Sequence, residues 1–379
     1  MRIMLFIRSL GIGGAERQLL LLAHELGKNH YVSIVTFYDD QQYDFLSAPD
    51  VTFKCISLNK KGRWDTIGFI FRLLKTIKNV EPDVIYAFMN TASIFSLLAK
   101  IVKPRVKIVW GIRSSNMNLS LYGLVARVFR WLECRLSSLA DLVISNSHAG
   151  KSEAIADGYF NKRFIVVPNG IDTHRFKLDL NSRDSIRSEY KIPSECTVIG
   201  AVARHDPMKG IENLLQAAAI HLNIYPQTHF LLVGYGNNEY TNSLKLLGKE
   251  LGISDKIIWS GKVIDVAPFY SAMDIFTSSS IFGEGFSNSI GEAMSCMLPV
   301  VVTDVGDACH IIGEYGCLIP PGNSNEMAKQ WSYLRNLEQE ELELMKIQAR
   351  DCILKKYSIH NMTKATENAL ISVCEGIDK

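Results

Sequence analysis

The feature that most restricts the fold is a rhythm. Short, continuous apolar runs alternate with amphipathic stretches, and the rhythm stops once and starts again. In the first half the runs are RIMLFIR (2–8), YVSIVTF (31–37), VTFKCIS (51–57), DVIYAF (83–88), VKIVWGI (106–112), DLVISNS (141–147) and FIVVPNG (164–170). Helical patterns such as AERQLLLLAHELG (15–27) and TIGFIFRLLKTIKN (66–79) lie between them. Strands apolar on both faces belong in a parallel sheet covered by helices on both sides. After the polar stretch KLDLNSRDSIRSEYKIP (177–193) the rhythm resumes with TVIGAVA (197–203), HFLLVGYG (229–236), KIIWSGKV (256–263), DIFTSS (274–279) and PVVVTD (299–304). The reading is an α/β protein of two doubly wound domains. They divide near PNGIDTHRF (168–176), where Pro, Asn and Gly end the pattern. The tail HNMTKATENALISVCEGIDK (360–379) reads as a last helix. Ligands of such sheets bind beyond the carboxyl ends of the strands. Two of them facing across a cleft would therefore hold a site between them.

Composition agrees and removes several functions. A chain of 379 residues, 47% of them hydrophobic, has material for two cores. A net charge of +2 gives no reason to expect nucleic acid. The eight cysteines include no CxxC pair and read as small buried hydrophobes in a reducing compartment. MRIMLFIRSLG (1–11) is broken by Arg8 too early for a signal peptide. No run approaches the roughly 18 apolar residues of a spanning helix, so a cytoplasmic location is expected. One segment is unevenly charged. Residues 100–135 carry Lys100, Lys103, Arg105, Lys107, Arg113, Arg127, Arg130 and Arg135 against Glu133 alone, with Trp110, Tyr122, Phe129 and Trp131 interleaved. Leu121, Leu124, Val125, Val128, Leu132 and Leu136 keep helical spacing there. The segment is either a core-packed helix with a solvated basic face or a patch for an anionic membrane surface.

Three loops could carry chemistry. SLGIGGAERQ (9–18) follows the first strand, and Gly11, Gly13 and Gly14 allow close backbone approach ahead of a helix. It is an incomplete dinucleotide fingerprint, because Glu16 stands where the third glycine would be. ARHDPMKGIENLL (203–215) places Arg204 and Lys209 at a strand end, as exposed cations suited to a diphosphate or as plain surface charges. His205 reads as exposed and structural. FGEGFSNSIGEA (282–293) sets Glu284 in a glycine loop and Glu292 inside a helix starting near 287–289. Ser289 and Glu292 fit a capping box; Glu284 has no capping role and suits sugar hydroxyls.

Taken in order, ARHDPMKG (203–210), VGYGNNE (233–239), SGKVID (260–265), FGEGFSNSIGEA (282–293) and DVGD (304–307) resemble family 4 retaining glycosyltransferases of the GT-B fold. Glu284 and Glu292 meet that family's E-x7-E motif, and GGAERQ (13–18), NS (146–147) and PNGID (168–172) are similar too. The resemblance implies Rossmann-like domains at 1–170 (acceptor side) and 171–358 (nucleotide-sugar side), with 359–379 returning to the first. It implies that Arg204 and Lys209 hold the donor diphosphate, that Glu284 binds the transferred hexose, and that Glu292 binds the ribose. Val263 and Gly234 would border the base. Gly13 and Gly14 would close on the donor phosphate. Gly285, Phe286, Ser287, Asn288 and Ser289 would line the helix start beside it. One position departs from the pattern: Arg113 stands about where many members have a histidine, and arginine is no base at neutral pH. It would bind an acceptor phosphate or the donor sugar instead.

The expected function is transfer of a hexose or N-acetylhexosamine from a nucleotide sugar, UDP-linked by preference, to a saccharide or lipid-linked saccharide in surface polysaccharide assembly. No D-x-D occurs, so neither metal nor cofactor is expected, and the anionic inner face of a membrane is a possible partner. A nucleotide-sugar epimerase on the same fold is the alternative. An NAD-dependent dehydrogenase, with Asp39 or Asp40 beyond the glycine loop, and a non-catalytic sugar-nucleotide binder also stand.

Overall fold

The computed structural model describes residues 1–11, 13–39, 52–62, 64–113, 124–160 and 162–376. Asp40, Leu121 and Tyr122 lie outside the described residues. Two compact units result: Met1–Gly170 with Ile359–Lys379, and Ile171–Ser358.

The first unit is a seven-stranded sheet in the order β3-β2-β1-β4-β5-β6-β7. Its strands are β1 (Arg2–Ile7), β2 (Tyr31–Thr36), β3 (Phe53–Ser57), β4 (Val84–Phe88), β5 (Lys107–Ile112), β6 (Leu142–Ser145) and β7 (Phe164–Val166). Every pairing is parallel. Helices α1 (Gly14–Gly27), α2 (Thr66–Val80), α3 (Asn90–Ser96), α4 (Ala99–Val102), α5 (Leu124–Leu136) and α6 (His148–Ala156) connect them. The apolar runs are continuous because the strand pleat feeds two cores. Ile3, Leu5 and Ile7 of β1 enter one cluster with Tyr86 and Phe88. Met4 and Phe6 enter another with Ile85 and Ala87. The last helix, α15 (Ile359–Glu375), belongs to this unit and adds Met362, Leu370 and Val373 to the α1 side. Gln18 of α1 clasps Gly170 from both directions: its Nε2 donates to the carbonyl at 2.9 Å and its Oε1 accepts from the amide at 3.0 Å.

The second unit has a six-stranded parallel sheet in the order β10-β9-β8-β11-β12-β13. These strands are β8 (Thr197–Val202), β9 (Thr228–Val233), β10 (Ile257–Gly261), β11 (Ile275–Ser278), β12 (Val300–Thr303) and β13 (Cys317–Ile319). Helices α7 (Leu180–Glu189), α8 (Ile211–Leu222), α9 (Asn238–Glu250), α10 (Ala267–Ala272), α11 (Asn288–Ser295), α12 (Ala308–Ile312), α13 (Ser324–Arg335) and α14 (Gln339–Lys356) complete it. The polar stretch at 177–193 is no mere break, because it folds as α7. Arg183 and Arg187 reach the two carboxylate oxygens of Asp274 at 2.6 and 2.7 Å, and Asp274 also accepts from the Val198 amide at 2.7 Å. Two of the arginines that make the stretch polar are thus paired within the unit.

In each sheet the order reverses at one point. β1 lies between β2 and β4, and β8 lies between β9 and β11. Loops leaving β1 and β4, or β8 and β11, diverge there and open a crevice at the carboxyl ends. No helix among the described residues is long and apolar enough to cross a membrane.

Candidate active site

In the second unit the loops following β8 and β11 meet. Asp206 accepts from the Met208 amide at 3.1 Å and caps the single 3-10 turn Pro207–Lys209, which swings Lys209 toward the other loop. The two loops are stitched together by Ser279 Oγ donating to the Lys209 carbonyl at 2.8 Å and by the Ile281 amide donating to Met208 O at 2.8 Å. Across this seam Lys209 Nζ donates to Glu284 Oε1, a residue 75 positions away. Ser280 Oγ donates to the same oxygen at 2.7 Å, and Thr303 Oγ1 holds the Ser280 carbonyl at 2.6 Å.

This pairing corrects two expectations. Lys209 is not an exposed cation: its side chain is 20% exposed, against 63% for Arg204. Glu284 is buried and carries structural partners of its own. Burial pushes its carboxyl upward, but the Lys209 charge and hydrogen bond, the Ser280 hydroxyl and the Arg204 charge together outweigh burial. It therefore titrates below the ordinary carboxylate range. Arg204 keeps its exposed position and bonds Asp206 at 2.9 Å. His205, expected at the surface, is buried between Thr241 and the Trp259 ring. Burial, reinforced by Lys245, lowers its pKa and keeps it neutral.

Helix α11 begins at Asn288 with Ser287 as N-cap residue, so Ser289 lies inside the helix and the Ser289–Glu292 capping box does not form. Glu292 is buried and accepts from the Tyr270 hydroxyl at 2.7 Å. Phe286 turns into the core and packs on Tyr357, leaving only its backbone for a ligand. The Glu284–Gly285 backbone is braced by the turn at 304–307. The Asp307 amide donates to Gly285 O at 3.0 Å, and Gly306 has φ +64° with no room for a Cβ, which would lie 2.4 Å from Glu284 O. Gly234 ends β9 at φ +140°, where a Cβ would lie 2.0 Å from Ala203 O; it bridges Gly261, two residues before the half-buried Val263. Ser280, Tyr270 and Thr303 escaped the sequence reading, and DVGD (304–307) was quoted there without a role for Asp307. No spacing rule links a strand-end serine to a carboxylate four residues on.

The first unit carries its own crevice. Gly13 is the N-cap of α1 and Gly14 its first residue. Glu16 folds back onto Gly13, and burial raises its pKa. Arg113 follows β5. Its guanidinium lies 4.1 Å over the Phe88 ring and donates to Tyr86 Oη at 2.6 Å and Asn169 Oδ1 at 3.3 Å. Among the described residues no carboxylate pairs with it, and its Nε has no hydrogen-bond partner. Burial lowers its pKa, an effect the Tyr86 phenol partly offsets. The neighbouring Asn146 Oδ1 is likewise buried without a partner.

The model of the family described as glycosyltransferase family 4 matches residues 12–175, and that of glycosyl transferases group 1 matches residues 196–336. The chain belongs to this family of glycosyltransferases. Its relatives include a Campylobacter jejuni N-acetylgalactosamine-N,N'-diacetylbacillosaminyl-diphospho-undecaprenol 4-alpha-N-acetylgalactosaminyltransferase. It is 24% identical over 85% of this chain and 87% of that protein. The Escherichia coli UDP-Gal:alpha-D-GlcNAc-diphosphoundecaprenol alpha-1,3-galactosyltransferase is 24% identical over 76% of this chain and 75% of its own length. The solved structure of Anabaena HepE in complex with UDP superposes with TM-score 0.85 over 98% of this chain and 100% of that one, at 22% identity. WaaG, a glycosyltransferase of lipopolysaccharide biosynthesis, gives 0.72 over 97% and 99% at 17% identity. The fold is GT-B, and the protein is a glycosyltransferase.

Proposed function

We propose that this enzyme is a retaining transferase that moves a hexose or N-acetylhexosamine from a UDP-sugar to a lipid-linked saccharide acceptor during surface polysaccharide assembly. The observation that carries the reading is the Lys209–Glu284 pair at the adjoining ends of β8 and β11, ahead of α11. A cation, a carboxylate and a helix N-terminus at one switch point match a diphosphate joined to a sugar. The named acceptors of the Campylobacter and Escherichia relatives are undecaprenol-diphosphate saccharides, and HepE was solved with UDP.

In this reading Arg204, Lys209 and the α11 amides take the charge that builds on the departing diphosphate, already oriented before reaction. Glu284 holds the sugar hydroxyls and Glu292 the ribose diol, with Val263 and Gly234 beside the base. Gly13 and Gly14 approach the phosphate, and Arg113 takes an oxyanion of a substrate. The anomeric carbon–oxygen bond to UDP breaks through an oxocarbenium-like state. The acceptor oxygen bonds to that carbon on the face UDP leaves, and the acceptor proton passes to the leaving phosphate oxygen. The products are UDP and a glycoside of retained configuration. The test is incubation of the full chain with UDP-, GDP- and ADP-sugars and an undecaprenyl-diphosphate saccharide. Transfer from a UDP-sugar with retained anomeric configuration supports the reading. Inversion, release of a free epimer without acceptor, or no turnover of any donor overturns it.

Two expected outcomes follow from the same residues. With the charge handled by Arg204 and Lys209, activity persists in excess EDTA; complete loss restored by Mn²⁺ would contradict metal independence. Arg113→Gln should lower transfer about tenfold or more while UDP affinity, measured by calorimetry, stays within twofold, on the scale of a lost charge-assisted bond.

A further inference from the structure

The first unit holds backbone strain at a point where packing does not call for it. Among the described residues Asn59, Glu81, Met89, Lys191 and Met297 are the non-glycine residues with positive φ. Glu81, Lys191 and Met297 follow α2, α7 and α11, where a left-handed residue ordinarily closes a helix. Asparagine tolerates the region. Met89 fits neither case. It precedes α3 instead of ending a helix, and its φ of 72° with ψ of 157° lies where only glycine sits freely. Both of its backbone groups are held. The amide donates to Gly111 O at 3.2 Å, and the carbonyl accepts from the Ser93 amide and the Ser93 hydroxyl, each at 3.1 Å. Yet the side chain is 44% exposed, so the strain does not serve to bury it.

The position is the carboxyl end of β4, which with β1 flanks the reversal of strand order. Phe88 of β4 pairs with Gly111 of β5, so Met89 and Arg113 leave adjoining strand ends. Arg113 lies over the Phe88 ring, and no carboxylate among the described residues neutralises its buried guanidinium. An exposed thioether beside a buried, uncompensated cation suits a ligand that has an apolar face and an anionic group in tandem.

We infer that Met89 is an acceptor-binding residue: its thioether packs on the C–H face of the acceptor's sugar ring, while Arg113 takes the diphosphate that links the saccharide to its lipid. A sugar ring has hydroxyl edges and an apolar face, and a flexible, polarisable side chain follows that face without demanding one hydroxyl pattern. The guanidinium fork matches diphosphate oxygens. A UDP-sugar carries the same two groups, but Arg204 and Lys209 of the second unit take its diphosphate, which leaves the first-unit pair to the acceptor. The inference rests on the transferase reading above and assigns the acceptor within it.

The test is calorimetric titration of the full chain with farnesyl diphosphate bearing N-acetylglucosamine or N-acetylgalactosamine, with plain farnesyl diphosphate, and with the matching UDP-sugars. Melting curves and a transfer assay run alongside. Wild type is expected to bind the sugar-bearing farnesyl diphosphates more tightly than the plain one. Met89→Ala and Met89→Gly should weaken them at least about fivefold, the scale of a methylene or two withdrawn from contact, and leave plain farnesyl diphosphate and the UDP-sugars within about twofold. Met89→Leu should restore most of that affinity. Met89→Gly should also keep Tm at or above the wild-type value, because glycine relieves the strain that Met89 carries. Arg113→Gln should weaken the plain and the sugar-bearing farnesyl diphosphates alike. A fall in Tm of more than about 3 °C in Met89→Gly would assign the strained residue to packing and overturn the inference. Unchanged affinity for the sugar-bearing farnesyl diphosphates, in Met89 variants of an enzyme that transfers, overturns it alone. So does a loss confined to the UDP-sugars, which would place Met89 on the donor. No transfer by wild type from any donor overturns the transferase reading and this inference with it.

Discussion

Lys209→Ala is expected to lower kcat/KM by about a hundredfold or more and to lower Tm as well. The catalytic part follows from removing a preoriented charge from the position where the diphosphate gains one, a loss comparable to that of an oxyanion-hole donor. The stability part follows from the pairing. Glu284 is buried, and without Lys209 its charge loses its ion-pair partner, while the Ser280 hydroxyl and the Arg204 field remain. Breaking a buried pair by deleting one partner costs on the order of 3 kcal/mol. For a unit of this size that is roughly 6–12 °C in Tm. Arg204→Ala separates the two contributions. Arg204 is 63% exposed and bonds only at the loop surface, so its loss should reduce turnover with little change in Tm. A Lys209→Ala protein with wild-type turnover would remove the diphosphate assignment, whatever its stability.

The pair also fixes an acid limit. The folded-state pKa of Glu284 is depressed below the ordinary 4.5. Its contribution to stability is therefore complete above the unfolded value and is lost as pH falls through the depressed folded value. Wild-type protein should keep this contribution through pH 5 and lose it below about pH 4.5. In Lys209→Ala burial is no longer opposed by the lysine, the carboxyl moves upward, and the acid-side loss of stability should shrink or change sign. Thermal melts of both proteins from pH 3.5 to 7 measure the difference.

The sheets were legible because a strand buried on both faces has to be apolar at every position, as in VIYAF of β4. The candidate site was legible as residue types at strand ends, but its wiring was not. Lys209 and Glu284 become partners only because β8 and β11 are neighbours, a fact of strand order that no local pattern encodes. The same limit hid Tyr270 beneath Glu292. α7 was read as a polar break because its arginines look solvated until Asp274 is placed beside them. β13 is three residues long, too short for alternation to register. α2 carries apolar residues on two sides: Ile67 and Phe71 are exposed and out of phase with the buried Phe69, Leu73 and Ile77. An amphipathic reading that counts apolar residues without assigning each to a side passes over them.

Glu284 and Glu292 should respond differently to loss of charge, and the structure sharpens the contrast. With the capping box gone, the Tyr270 hydroxyl helps to hold Glu292, and for it Gln remains an acceptor. Glu292→Gln should therefore hold Tm within about 2 °C. If the carboxylate binds the ribose diol, UDP affinity should fall about tenfold, the scale of one charge-assisted hydrogen bond. Tyr270→Phe is the control: it removes the hydroxyl beneath the carboxylate without touching the charge, so it should shift UDP affinity less than Glu292→Gln does. Glu284→Gln keeps an oxygen for Lys209 and Ser280 but loses the ionic partner for sugar hydroxyls. Transfer should drop by about a hundredfold or more, while free UDP binds as in wild type because the nucleotide half is untouched. Calorimetric titration of UDP and of a UDP-sugar against the three variants, with melting curves alongside, reads all of this. Equal loss of UDP and UDP-sugar in Glu284→Gln, or normal turnover in both glutamate variants, would mean that the E-x7-E stretch only braces the turn between β11 and α11.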